Sequence, residues 1–523
     1  MYKNECITAH FLAPISYNCE LPAALPRFHS THLSHQPLPS LRIGSKMFHQ
    51  HSRAASRGQS QYGCRDFQLA QKIQRRQLLQ AGGLSALGLG MGELFARQAR
   101  AEELGIATTR PTAKRCIFLF MWGGPSQLET FDLKPNAPAE VRGEFNPIAT
   151  KVPGVQICEH FTRLAQLTDK LAIIRSLTHT DPAHLSSGHA TLTGQLAPVV
   201  KSDADPPSPK DSPHLGALLS KLRPNTRGLP SFVAMPWKAL HPGAPGGEAP
   251  GQHGGWLGSA YDGMLLSGDL NAPDWQPQGL SLPADIGLGR LESRVELLRL
   301  LDAQRAGLQN SLASTAYHHH QTRAIEMMSS PQVRQAFDLS QESDATRERY
   351  GRNIHGQCVL MARRLVEHGV PLVSVNWHND GKNFWDTHGD NFNRLKNDLI
   401  PPADMALSAL LQDLEERGML EETIVAWVGE FGRRPQITPG NAGREHWPFC
   451  YSGLLAGGPV RPGIVYGASD AHAAYPTANP ISPLDFATTI LHGLGLPTDD
   501  MLLDRENRPH RIAAGKVHSG LLT

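Results

Sequence analysis

The sequence predicts an α/β fold: a three-layer, doubly wound, mostly parallel sheet. Three observations carry that prediction. Unbroken apolar runs such as Arg115–Trp122 and Leu171–Leu177 read as strands buried on both faces. The order helix, stopping glycine, apolar strand, polar cluster occurs twice, once from Ile354 and once from Ala403. The polar clusters then fall at or just beyond strand ends, where open α/β sheets hold their ligands.

Taken in order, Arg115–Trp122 is the first strand and ends in the tight turn Gly123-Gly124-Pro125-Ser126, where backbone can approach a ligand. Leu171–Leu177 is the second and feeds the loop from Thr178 to His184. A short helix runs through Gly188–Leu192 and closes at Gly194. Residues 200–285 are rich in Gly and Pro and read as a loop-rich insertion that shapes the site. The segment from about 290 to 368 is helical, with Leu291, Val295, Leu298 and Leu301 at helical spacing. Within it, Ile354–His368 is an amphipathic helix stopped by Gly369. Pro371–Trp377 is the next strand, Ala403–Arg417 the next helix, and Thr423–Val428 the strand it feeds. Ser482–Leu491 is the last helix.

Composition sets outer bounds. The chain has 523 residues, 19% charged and 40% hydrophobic, as expected of a globular protein with a sizeable core. A net charge of +2 with no dense Lys/Arg stripe argues against nucleic acid as a partner. The 7 cysteines include no C-x-x-C pair, and Cys116, Cys158, Cys358 and Cys450 have hydrophobic neighbours that favour buried thiols.

Residues 1–74 lack periodicity and read as disordered or as a mis-assigned start, with Met47 as a second candidate first residue. Residues 75–101 combine Arg75-Arg76, a short Gly-rich apolar run and Ala99-Arg100-Ala101, the order of a twin-arginine signal peptide. The expectation is export to the periplasm or beyond, with a mature chain beginning near Glu102. Residues 102–523 then form one domain, with no internal repeat and no stretch apolar enough to span a membrane.

Chemistry concentrates in three late clusters: Trp385-Asp386-Thr387-His388, Gly429-Glu430-Phe431-Gly432-Arg433 and Gly443-Arg444-Glu445-His446-Trp447. Carboxylate with imidazole is a metal-ligand set, and arginine recognises oxyanions. Asp386, His388, Glu430 and His446 are the candidate ligands of a divalent ion, with Zn, Ca, Mg and Mn all open. For Glu430 the competing reading is an ion pair with Arg433 or Arg434. Arg433 and Arg444 are candidates to neutralise charge developing on a substrate. His184 is a candidate base or ligand on the second loop, near Asp181. Gly123, Gly124, Ser126, Ser187 and His189 are candidate substrate-binding positions. Ser126 lies outside any G-x-S-x-G, which argues against a serine-esterase elbow. His318, His319 and His320 read as a solvated helix face.

Five motifs in order also carry a resemblance: GGPSQLETFDLKP (123–135), WDTHGDNF (385–392), EFGRRP (430–435), GREHW (443–447) and GGPVRPGIVYGASD (457–470). They are similar to the secreted family called domain of unknown function 1501, across essentially the whole mature chain. That family resembles the alkaline phosphatase superfamily, sulfatases included, which implies an alkaline-phosphatase-like core. In the sulfatase pattern a nucleophile motif ends in L-T-G, as Leu192-Thr193-Gly194 does here. The resemblance places His184 where that pattern has its reactive residue and Gly188 where it has arginine. It aligns Glu430-Phe431-Gly432 with a strand end that carries Asp-His-Gly, and His446 with a later metal-binding histidine. The first-strand aspartate of the superfamily corresponds to Gly123-Gly124. The expectation is a metal-dependent hydrolase of sulfate or phosphate esters, its substrate a small molecule or glycan ester. The alternative is a non-catalytic binding protein for anionic glycans.

Overall fold

Alternate residues of Arg115–Phe120 (β1) enter two different cores. Ile117 and Leu119 join one, Cys116, Phe118 and Phe120 the other. A strand with both faces buried must be central, and β1 is. The computed structural model describes residues 113–523 apart from 226–227, 278, 280–286, 306–323, 326, 329 and 378–383. The expectations on residues 1–101 and on His318, His319 and His320 lie outside the described residues.

The other strands of the main sheet are Leu171–Leu177 (β2), Phe232–Met235 (β3), Met264–Leu265 (β4), Leu372–Asn376 (β5), Thr423–Val428 (β6), Tyr451–Ala456 (β7) and Ile464–Tyr466 (β8). Their order across the sheet is β8-β2-β7-β6-β1-β5-β3-β4. β1 pairs in parallel with β5 and β6, and only β7 runs against its neighbours. The sheet is therefore mostly parallel, and β1, β2, β5 and β6 all deliver their carboxyl ends to one edge.

Helices cover both faces, completing three layers. Ile354–Glu367 (α3) and Ile400–Glu416 (α4) pack on the face carrying Ile117 and Leu119. His184–Thr193 (α1), Leu215–Leu222 (α2) and Pro483–Gly493 (α5) pack on the face carrying Phe118 and Phe120. α1 stops at Gly194, whose left-handed backbone (φ 69°, ψ 19°) costs glycine nothing. α4 starts before its apolar spacing does, because Pro401 and Pro402 suit a first helical turn.

Residues 200–285, expected as a loop-rich insertion, contribute the covering helix α2 and the last two strands of the sheet, β3 and the edge strand β4. Strands of four and two residues between Gly/Pro tracts are too short to show a period. β7 escapes the sequence pattern for a similar reason: Ser452 and Gly453 interrupt its apolar run. Cys116, Cys158, Cys358 and Cys450 are free and buried. Burial alone pushes the Cys116 thiol up, and Cys158 is pushed up to about 12, chiefly by burial. Among the described residues, no helix is long and apolar enough to cross a membrane.

Candidate metal centre

Beyond the shared edge, β1 runs into Trp122-Gly123-Gly124 and β6 into Gly429-Glu430, while β2 leads through residues 178–183 to α1. A two-stranded ribbon pairs Gly432–Arg433 with His446–Trp447, and Arg433 lies opposite His446. Gly123 has φ +109°, and a Cβ there would sit 2.3 Å from the Asp386 amide nitrogen. Only glycine lets the end of β1 and the Trp385–Asp386 backbone approach so closely.

Asp386 is the hub. Its Oδ1 lies 3.0 Å from His388 Nε2 and 3.2 Å from His446 Nε2, and its Oδ2 lies 3.5 Å from His184 Nε2. His388 Nε2 and His446 Nε2 are 2.9 Å apart. Each imidazole is held by its other nitrogen. Nδ1 of His184 meets Glu430 Oε1 at 2.7 Å, Nδ1 of His388 meets Glu445 Oε2 at 2.6 Å, and Nδ1 of His446 meets the Pro182 carbonyl at 2.8 Å. This is the pattern of metal-binding histidines, with Nδ1 tied and Nε2 presented. For bonds of about 2.0–2.1 Å to zinc, the edge of a ligand tetrahedron is roughly 3.3 Å. Separations of 2.9–3.5 Å fit such an ion. Ligand atoms of His184, Asp386 and His446 lie within 4.8 Å of one another. His388 stands beside this group, its Nε2 close to Asp386 and His446 as given above, and it is the most exposed of the four at 41%.

The electrostatics follow from burial and from Asp386. Burial favours the neutral Asp386 carboxyl. The Arg433 charge and the hydrogen bonds from His184, His388 and His446 outweigh it and hold the carboxyl far below the usual range. Burial also pulls His184 down, but hydrogen bonds to Asp386 and Glu430, and their charges, raise it to about 9. His446 goes the other way, to about 4. Burial dominates there, with Arg433 and His184 adding to it against the Asp386 hydrogen bond. Phe431 walls the pocket, its ring 4.8 Å from His184 and 4.4 Å from His446.

The sequence candidates divide by place. Asp386, His388, His446 and His184 converge. Glu430 stands one step behind: its Oε1 accepts from the Gly123 amide at 2.8 Å and meets His184, and neither Arg433 nor Arg434 is its partner. Arg433 belongs to Asp386, and its remaining hydrogen bonds go to the carbonyls of Gly123, Gly124 and Arg444. Arg444 is elsewhere. Its guanidinium forks onto Glu129, with both side chains fully buried, and donates to the carbonyls of Val141, Arg434 and Pro435. All five of its N–H groups are thus engaged, and it has none for a substrate. Ser126 donates to Glu129, Ser187 to the Ala183 carbonyl, and buried His189 accepts from the Ser212 amide at 3.1 Å. All three are committed to local structure. Gly124 serves through its carbonyl on Arg433, and Gly123 through both backbone groups.

Sequence reasoning passed over three neighbours. The ring of His241 lies 5.3 Å from that of His184, at the rim. His179 Nε2 meets the Glu430 carbonyl at 2.8 Å, and Glu445 holds His388. Glu445 was visible beside His446 in GREHW. His241 lies in a Gly/Pro tract with no periodic signal at all.

Imidazoles and one carboxylate gathered beyond the ends of a parallel sheet define a candidate metal-binding α/β protein. Residues 113–521 match the family described as Protein of unknown function (DUF1501), and the chain belongs to that family. No curated protein matches it. Among solved structures it is similar to the PsFucS1 sulfatase from Pseudoalteromonas sp., at 13% identity and a TM-score of 0.32, over 76% of this chain and 70% of that one. It is also similar to the phosphonate monoester hydrolase SpPMH from Silicibacter pomeroyi, at 12% identity and a TM-score of 0.33, over 78% and 76%. A third is the lipoteichoic acid synthase LtaP from Listeria monocytogenes, at 10% identity and a TM-score of 0.31, over 74% and 73%.

Proposed function

We propose that the protein is an exported, metal-dependent hydrolase of sulfate or phosphate esters on an alkaline-phosphatase-like core. One observation carries the reading: three imidazole nitrogens and the Asp386 carboxylate converge while each imidazole is tied at Nδ1. His184, Asp386, His388 and His446 would hold the ion. When bound, a divalent ion supplies Lewis-acid polarisation of an ester oxygen and acidifies water. Imidazole-rich sites suit zinc and its transition-metal neighbours better than calcium or magnesium.

The chain's own residues prepare the site. Arg433 fixes the Asp386 carboxylate and balances its charge. Phe431 and Trp122 flank His184 and exclude water from one side, while half-buried His388 marks the open side. The test is metal analysis of the purified protein, with assay against a broad panel of sulfate and phosphate esters. Release of sulfate or phosphate that a chelator abolishes is the expected result. Full metal occupancy without turnover of any ester would sink the hydrolase reading.

A second reading, a non-catalytic binding protein for anionic glycans, is favoured by the hydroxyls. The Ser126 and Ser187 hydroxyls donate into structure, and the Ser186 hydroxyl accepts from the Ser202 amide at 3.2 Å. Metal-dependent glycan binding without turnover is the outcome that would select this reading.

A further inference from the structure

Resting on the metal-site reading above, we propose that Glu430 is a positioning residue for His184 and that the site takes a single ion. The side chain of Glu430 is fully buried at the exit of β6. Its Oε1 accepts the Gly123 amide at 2.8 Å and meets His184 Nδ1 at 2.7 Å. Two donors on one oxygen fix the carboxylate, and the carboxylate fixes the ring. With the proton held at Nδ1, the lone pair of Nε2 faces the point shared by Asp386 and His446. Glu430 itself stands outside the group of atoms that converge there.

A second ion would need free ligands around Glu430, and among the described residues the nearest imidazole on that side is engaged at both nitrogens: His179 Nε2 meets the Glu430 carbonyl at 2.8 Å and its Nδ1 accepts the Asp181 amide at 3.2 Å. Beyond β1 the chain turns at Gly123, where a side chain is excluded by the Asp386 amide 2.3 Å from any Cβ. The residue after Glu430 is Phe431, whose ring contributes only an apolar wall against His184 and His446. Arg433, the nearest cation on that loop, is committed to Asp386 and to backbone carbonyls. The competing assignment uses Glu430 Oε2, which is buried and has no hydrogen-bond partner among the described residues, as a direct ligand.

Cobalt(II) titration of the metal-stripped full chain distinguishes the two. The wild type is expected to bind one ion per chain. Glu430→Gln is expected to bind one ion with a visible d–d spectrum like the wild type's, and with affinity lowered about 10–100-fold, the usual cost of losing an outer partner. Thermal unfolding of the metal-free variant should stay close to wild type. Two ions per chain in the wild type would overturn the proposal, and so would a changed d–d spectrum or unchanged affinity in Glu430→Gln. A wild type that binds no ion overturns the metal-site reading itself, a separate failure. Should Glu430→Gln not fold, histidine-specific ¹⁵N labelling of the wild type decides. Metal loading should leave His184 with a slowly exchanging Nδ1 proton shifted far downfield by the carboxylate. A His184 ring without that proton would overturn the assignment.

Discussion

Arg433 and Arg444 occupy consecutive motifs with similar composition, yet they do different work, and the difference lies in partners far along the chain. Glu129, which receives the fork of Arg444, is 315 residues upstream. Nothing in GREHW itself points to it, so a reading of local chemistry assigned both arginines to an oxyanion. The pair is fully buried on both sides. Removing one partner should therefore cost about 3–5 kcal/mol, because the other charge is left buried and unpaired. We expect that loss in Arg444→Met by urea unfolding, and a comparable loss in Glu129→Gln. The double variant should lose clearly less than the sum of the two. Additive losses would mean that the pair is not coupled. Gly123 makes a second point at this scale. Its place at a strand end was legible, but the need for φ +109° and the contact with the Asp386 amide was not. Gly123→Ala should cost roughly 1–3 kcal/mol of backbone strain. It should also lower metal occupancy, since Asp386 must shift to admit the methyl. Wild-type occupancy in that variant would rule out the dependence of Asp386 on this turn.

At the scale of elements, strands and helices that bury both faces or one clear stripe were legible. β2 and β6 match the apolar runs residue for residue, and α3 ends one residue before its expected limit. What escaped was β3, β4, β7 and β8, strands of two to six residues placed by pairing with a neighbour rather than by their own pattern. Pairing partners are set by topology, which no local period records. The candidate site shows the same split. Asp386, His388 and His446 stood out because they follow strands or lie in loops beyond them. His241 did not, because its loop is anchored by contacts instead of periodicity. Local rules do govern α5. Ser482 accepts from the Asp485 amide at 3.1 Å, and Asp485 accepts from the Ser482 amide at 3.0 Å, a reciprocal cap. Ser482→Ala should cost about 1 kcal/mol, read as a lower urea midpoint at unchanged slope. Metal binding should be untouched, since α5 contributes nothing to the centre.

For the whole molecule, the buried histidines outside the centre set the response to acid. His189 and His214 are buried neutral, drawn down by burial to about 4 and about 3. His214 accepts the Gly216 amide at Nδ1 and stacks on Phe232 with ring centres 4.4 Å apart, so protonation would cost both a cap and a dry environment. The sign follows from linkage. The unfolded chain takes up these protons near pH 6.5, while the folded chain refuses them until about pH 4 or 3. Stability is therefore fully present above pH 6.5 and falls as the pH drops towards those folded values. Each group contributes a slope that grows towards about 1.4 kcal/mol per pH unit below pH 6.5, so the two together remove about 3 kcal/mol between pH 6.5 and 5. Most carboxylates have not begun to titrate in that window, which makes it diagnostic for histidine. The variant that isolates the effect is His214→Asn, which keeps an acceptor for the Gly216 amide and cannot titrate. It should be less stable than wild type at pH 7, because the stacking on Phe232 is lost. Its stability should nevertheless fall more gently from pH 6.5 to 5, by one proton's worth of slope. Urea unfolding at several pH values reads both quantities. An unchanged slope in the variant would show that His214 does not stay neutral in the folded chain, and the acid response would then have to come from other groups.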